Sequence, residues 1–96
     1  MKARLLHLGI AGPAVLNSQL VETALNSLGI DWLRVSSHVW VLYTDQPIDA
    51  IRLELQAISV LGEDAFLLFT SFDPFHADTN GWLPGWAWDW FRAKPL

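Results

Sequence analysis

Three side chains that could ligate a metal ion lie close together in the last third of the chain: Asp73, His76 and Asp78. Two carboxylates and one imidazole suit a first-row divalent metal. The same residues also suit a loop, because Asp73 precedes a proline and Asp78 precedes the turn-like sequence 79–81, where aspartates bond to their own backbone. The turn interpretation is simpler. Asp73, His76 and Asp78 are therefore only weak metal candidates, and we expect no cofactor.

Hydroxyl and imidazole side chains adjoin each other at Ser36, Ser37 and His38. A nucleophile needs a base within hydrogen-bond reach, but neighbouring residues of a strand point to opposite faces of the sheet. His7 lies inside an apolar segment, which is more typical of a hydrogen-bonded core or interface histidine than of a general base. At a dimer axis, paired imidazoles would make association sensitive to pH near about 6–7. We expect no catalytic residue.

A row of tryptophans follows near the C-terminus. Trp86, Trp88 and Trp90 are spaced by two residues, so they would point to one side of a strand, whereas a helix would align only Trp86 and Trp90. The spacing predicts a short fifth strand. The row could cover a sheet face, form a subunit interface or stack on a base or sugar. Platforms that stack on nucleic acid usually come with a basic groove, and here Asp89 lies within the row. Cover or a dimer interface is favoured, and small-ligand binding is the alternative.

Length and composition restrict the class of protein. A chain of 96 residues holds one domain, and we predict a domain over residues 1–91 with a C-terminal tail over 92–96. The chain has no cysteine, which excludes disulfides, cysteine zinc sites and thiol catalysis. A net charge of −4 argues against general binding to a phosphate backbone. Because no apolar run reaches the length of a membrane span or a signal segment, we expect a soluble cytoplasmic protein without a membrane partner.

The apolar periodicity predicts four strands and two helices that must position these side chains. A helix is predicted from Pro13 to Leu28, with Gly29 in the left-handed conformation after its end. A second helix is predicted from Ile48 to Leu61, begun by Pro47 and a short polar cap before it, and ended by Gly62. The predicted strands are Leu5–Ile10, Ile30–Val35, His38–Tyr43 and Ala65–Phe72.

The order strand, helix, strand, strand, helix, strand predicts an α+β fold. We expect a ferredoxin-like βαββαβ sandwich with a four-stranded antiparallel sheet, in which the first and third strands are central and both helices lie on one face, plus the short fifth strand. Two features do not suit a monomer. The fourth strand is apolar on both faces although it lies at a sheet edge, and the second face of the sheet needs a cover.

The chain also resembles a known group of proteins. The segment Arg34-Val35-Ser36-Ser37-His38-Val39-Trp40 and the terminal Trp86-Ala87-Trp88 are similar to the SinR-like small proteins, which are relatives of the small CRISPR-associated adaptation nucleases. The resemblance covers residues 1–91. It implies a ferredoxin-like domain and a homodimer in which the sheets face each other and C-terminal strands can extend the partner's sheet.

One departure from that family bears on activity. In the nucleases the first strand ends in an aspartate that binds a divalent metal, whereas Gly9 stands at the matching position here and no acidic residue precedes Glu22. Glycine offers a hard cation only its backbone. The metal-dependent nuclease activity of the family is therefore not carried over to this chain.

These observations favour a non-catalytic homodimeric interaction or scaffold module. The alternatives are a nuclease-like protein with unconventional site residues and a small-ligand binding module that uses the tryptophan row. The expected partner is a second copy of the chain rather than nucleic acid. The residues expected in the dimer interface are Phe66, Leu68, Trp86, Trp88 and Trp90.

Overall fold

The computed structural model describes residues 2–11, 17–57 and 66–96 and has an α+β fold, a four-stranded antiparallel sheet with three helices. In chain order the elements are β1 (Arg4–Ala11), α1 (Ser18–Leu28), β2 (Asp31–Ser36), β3 (Val39–Thr44), α2 (Ile48–Gln56), β4 (Phe66–Phe72) and α3 (Gly85–Arg92).

The strand order across the sheet is β2-β3-β1-β4, and every neighbouring pair is antiparallel. The inner strand β3 is buried from Trp40 to Thr44, because it has neighbours on both sides and elements packed above and below it, whereas β1 is exposed at His7. The edge strands are β2 and β4. Facing residues include His7 with Val41 on β3 and with Thr70 on β4, which fixes which side chains share a face.

One face of the sheet, here called the inner face, is covered by α1 and α2. Both helices bury a stripe of apolar residues at helical spacing against it, with Val21 and Leu25 on α1 and Ile51 and Leu55 on α2. Trp40 of β3 is the largest fully buried side chain at this layer. The rest of this core consists of Leu6, Leu8, Ile10 and Leu42.

The helix ends differ from the sequence prediction in three details. Asn17, which lies inside the predicted helix Pro13–Leu28, is the N-cap of α1, and its Oδ1 accepts the Leu20 N–H. Gly29 is extended rather than left-handed, with φ −112° and ψ 160°. A Cβ there would collide with Leu42 Cδ1, so a larger residue would force the buried Leu42 side chain to shift. The N-cap of α2 is Pro47 itself, without a side-chain cap.

Four predictions concern residues that are not described. They are the first helical turn at Pro13, the continuation of α2 to Leu61, its end at Gly62 and the start of a strand at Ala65.

The predicted fifth strand is wrong, because residues 85–92 form α3. A fifth strand would have extended the sheet and enlarged its uncovered face, whereas a helix lies across the face and covers it. The helix places Ala87 and Phe91, four residues apart, on one side, where both are buried. Trp88 packs against Phe91 with ring centroids 5.7 Å apart. The helical spacing of Ala87 and Phe91 therefore determines the structure of this segment, and the strand-like spacing of the tryptophans does not.

The second face, here called the outer face, has its own core under α3. Ala87 and Phe91 pack against buried residues of three strands, which are Leu5, Leu33, Val41 and Tyr43. Phe72 of β4 meets Phe91 edge to face, with ring centroids 6.1 Å apart. The C-terminal segment thus supplies part of the cover that the apolar outer face needs.

Within the described residues, the helices are all too short or too polar to cross a membrane.

Candidate functional site

Only half of the outer face is covered by α3. The remaining part, here called the open half, contains His7 and Gly9 of β1, Val35 of β2, and Phe66 and Leu68 of β4. Phe66 is 71% exposed and Leu68 is 68% exposed. A Cβ added at Gly9 would meet nothing within 4 Å, so the surface beside Leu68 is open. The open half is the principal apolar surface of the sheet that the described chain leaves in water.

A groove runs between the open half, the loop 73–84 and α3. Its volume is about 580 Å³, and apolar side chains make up most of its walls. The floor includes His7, Val41 and Thr70, and the far wall is formed by Trp88 and Phe91. The rim is formed by the loop, with Asp78, Asn80, Gly81 and Leu83. A volume of this size lies within the range of about 300–1,000 Å³ that is typical of ligand sites.

The five residues predicted for a dimer interface fall into two groups. Phe66, Leu68 and Trp86 are exposed, and the first two lie side by side on the open half. Trp88 and Trp90 are half-buried against the chain's own outer core. The structure therefore brings together the two β4 residues, and it places Trp88 and Trp90 in the packing of α3.

The two sheet edges are protected differently. β2 carries Asp31 and Arg34, and its register with β3 shifts between Arg34 and Ser36. Charge and irregularity of this kind discourage the addition of another strand. β4 has neither charge nor proline over its seven residues. The unprotected edge of the sheet is thus β4, which carries Phe66 and Leu68 of the open half.

A polar cluster, here called the C-terminal anchor, fixes the end of α3 to β2. Asp31 Oδ2 accepts a hydrogen bond from Trp90 Nε1 at 3.0 Å and pairs with Lys94 Nζ at 2.8 Å. The Lys94 ammonium also lies 4.2 Å from the centroid of the Trp90 ring, within cation–π distance. Tyr43 Oη donates to the Pro95 carbonyl at 2.6 Å. The residues after α3 are therefore tied to the domain.

The charge of Asp31 is stabilised by this anchor. Burial raises the pKa of the Asp31 carboxyl, but the hydrogen bonds from Lys94, the Trp32 N–H and Trp90, together with the Lys94 charge, outweigh burial and leave the pKa below its ordinary value. A carboxyl whose folded pKa is depressed stabilises the fold above its unfolded pKa. That stabilisation is lost as the pH falls through the folded value.

We expect Asp31→Asn to lower the free energy of unfolding at pH 6 and to lower it by less at pH 3. Because the Asp31 side chain is 47% exposed, solvent screening limits the loss to about 0.5–1 kcal/mol. Urea unfolding of both proteins at the two pH values measures it. Asp45→Asn, at an exposed carboxylate outside the anchor, is the matched control. An equal loss at pH 6 and pH 3 would contradict a role for the charge.

The weak metal candidates lie in turns. Asp73 Oδ1 accepts the Phe75 N–H at 2.9 Å, and His76 Nδ1 accepts the Asp78 N–H at 3.1 Å. These local bonds are typical of loop aspartates and histidines. Over residues 2–11, 17–57 and 66–96 there is no group of three or more His, Cys, Asp or Glu side chains that could hold a metal ion.

The expectation that Ser37 and His38 point apart is wrong. Ser37 Oγ lies 3.0 Å from His38 Nδ1. Both residues belong to the turn between β2 and β3, where the alternation of a strand does not apply. Ser37 is exposed, and among the described residues no carboxylate is hydrogen-bonded to the His38 ring to orient it as a base. The pair is therefore a turn contact rather than a site with the third group that nucleophilic catalysis uses.

His7 projects from the open half and lines the groove, and its side chain is exposed rather than part of a core. It faces Thr70 and Val41 on the neighbouring strands, neither of which is charged. The expectation of a core histidine is wrong for the single chain. The interface interpretation of His7 stays a prediction.

Two residues of this region are not predicted as site residues from the sequence. Val35 lines the groove, and Trp82, at the rim, is 99% exposed. The alternation of β2 places Val35 on the outer face together with Leu33, and that signal was present. The exposure of the Trp82 side chain cannot be predicted from its neighbours in the sequence, because the loop 73–84 has no periodic pattern.

Comparisons with known proteins identify no relative of the chain: no family model, no curated protein and no solved structure matches it.

Proposed function

We propose that the chain is a non-catalytic interaction module that acts as a homodimer through the open half of its outer face. The observation that carries the proposal is the exposure of Phe66 and Leu68, 71% and 68%, on a sheet face whose other half is buried under α3. A contiguous exposed apolar patch is rare on a monomeric soluble protein and is typical of an interaction surface.

A second copy of the chain is the partner that suits this surface best. Among the described residues at this surface, the ionisable side chains are His7, His38 beside Phe66 and Leu68, and Asp78 in the adjoining groove, and lysine and arginine are absent from it. An apolar patch without complementary charges fits its own copy about a two-fold axis, because the same patch then serves on both sides. The absence of basic residues from the patch disfavours nucleic acid.

The fold and the family remain part of the same proposal. A ferredoxin-like topology is supported by the order of elements through β4 and by the central position of β1 and β3. Kinship with the SinR-like small proteins rests on the resemblance of residues 34–40 and 86–88 alone. Gly9 departs from the pattern of the related nucleases, because it lies on the open half where they would carry a metal-binding aspartate. Glycine at position 9 provides no side chain to bind a metal ion, and it leaves room for the close approach of a partner.

The proposal is tested by placing a charge in the patch. Leu68→Asp is expected to weaken the dimer on the order of 100-fold or more, because two copies of a leucine, each contributing about 1.5–3 kcal/mol, are lost from one interface. Sedimentation velocity over a range of concentrations measures the dissociation constant.

The matched control is Leu53→Asp, which changes a leucine of similar exposure, 60%, on α2. Leu53 is far from the outer face, so this variant should dimerise like the unaltered protein. If Leu68→Asp leaves the dissociation constant unchanged, or if both variants weaken the dimer equally, the open half is not the interface.

A further inference from the structure

Trp82 is the most exposed large apolar side chain described, at 99%. It lies between Gly81 and Leu83, both of which line the groove, yet its own side chain lies outside the groove. A free indole in water forgoes the burial of about 150–250 Å² of mostly apolar surface. The chain thus carries an exposed indole at the rim of an apolar groove that it does not fill.

We infer that Trp82 of each copy inserts into the groove of the partner copy in the dimer. The inference rests on the proposed homodimer and specifies how its two chains engage. The groove volume of about 580 Å³ is ample for an indole. Its walls offer the indole Leu68, Leu83 and the ring of Trp88, and its floor offers the indole N–H acceptor atoms on His7 and Thr70.

Symmetry makes the exchange reciprocal. In a two-fold dimer, a residue of one copy that contacts the partner is matched by the same contact in the opposite direction, so one geometry fills both grooves. The groove shares Val35 and Leu68 with the open half, so the insertion is continuous with the proposed interface. Tryptophan is also the residue type most often found to dominate binding at interfaces.

The exposed area fits a stable dimer. Phe66 and Trp82 are aromatics of about 150–250 Å² each, and together with Leu68 and Val35 they offer on the order of 500–700 Å² per copy. A standard interface buries about 800 Å² on each partner. Without Trp82 the exposed area is well below that of a standard interface, and with Trp82 it approaches that of a standard interface.

The first test is Trp82→Ala, with Trp86→Ala as the matched control. The Trp86 side chain is 59% exposed, on the side of α3 that points away from the sheet, and it does not line the groove. By sedimentation velocity, Trp82→Ala is expected to raise the dissociation constant of the dimer on the order of 100-fold, since a central tryptophan is typical of a binding hot spot. Trp86→Ala should leave the constant within a few-fold of its original value. Equal dissociation constants for Trp82→Ala and the unaltered protein would overturn the inference.

The second test is Thr70→Trp, which fills the groove from its floor. It should weaken the dimer as much as Trp82→Ala does, although Trp82 is intact. An unchanged dimer in this variant would show that the groove is not occupied by the partner.

The third measurement observes the indole directly. In protein labelled with 5-fluorotryptophan, the Trp82 fluorine resonance, assigned from Trp82→Phe, should lose its H₂O/D₂O solvent shift as the dimer forms. A dimer in which Trp82 keeps its solvent shift would refute the insertion and leave the homodimer standing. A chain that is monomeric at every concentration would refute both. A groove closed by Trp82 of the same chain would appear as a concentration-independent loss of the shift and would also refute the inference.

Discussion

A chain cut after Thr79 is expected to unfold or aggregate. The cut removes α3 and with it Ala87 and Phe91, which bury the covered half of the outer face. It also removes Lys94 from the C-terminal anchor. The lost apolar burial corresponds to several kcal/mol at about 25 cal/mol per Å². That is a large share of the roughly 5–15 kcal/mol that stabilise a small domain.

Circular dichroism melting and light scattering of residues 1–79 beside the full chain measure this effect. A fragment that is soluble, dimeric and as stable as the full chain would show that α3 is displayed for a ligand rather than used as cover. In that case the tryptophans would have to be reassigned to binding, which is the alternative that their spacing left open.

Phe91→Ala is expected to lower the free energy of unfolding by about 3–5 kcal/mol, the usual effect of emptying a buried aromatic position. Phe91 is 3% exposed and lies against Phe72, Trp88 and Trp90, with ring centroids 5.7–6.1 Å away. The cavity would open at the centre of the outer core, where the helix and three strands meet.

Trp86→Ala is the control on the same helix. It removes a larger side chain that is mostly in water, so its effect on the free energy of unfolding should stay within about 0.5 kcal/mol, as for most surface changes. Chemical denaturation of the two variants measures both values. Similar losses at Phe91 and Trp86 would contradict the orientation of α3.

The strands and the inner core could be predicted from the sequence for one physical reason. A strand that is buried on both faces must be apolar at nearly every position, as β3 is, whereas β1 is apolar at the alternate positions that face α1 and α2. The stripe of α2 that includes Ile51 and Leu55 was equally clear, because only one face of that helix is apolar. In these elements the positions that are apolar in the sequence are the positions that are buried in the fold.

The C-terminal segment misled the prediction because its pattern fits two periods at once. Between Trp86 and Phe91 only Asp89 is polar, so the tryptophans alternate as in a strand while Ala87 and Phe91 repeat as in a helix. What separates the two is the shape of the surface to be covered, which is a sheet face and not a sheet edge. That is a tertiary property that no window of eight residues contains.

The site itself depends on distant contacts and could be predicted only in part. Phe66 and Leu68 were identifiable because an apolar edge strand is unusual. The groove could not be identified, since its walls come from β1, β4, the loop 73–84 and α3. Asp31 was also missed, because its partner Trp90 is 59 residues away in the sequence.

The mass of the unaltered chain in solution tests the central claim most directly. Size-exclusion chromatography with multi-angle light scattering, at micromolar concentrations and without detergent, should give about twice the chain mass of 10.8 kDa. The species should shift toward the single-chain mass on dilution. A monodisperse protein of 10.8 kDa across the whole concentration range would contradict the homodimer and, with it, the role assigned to the open half.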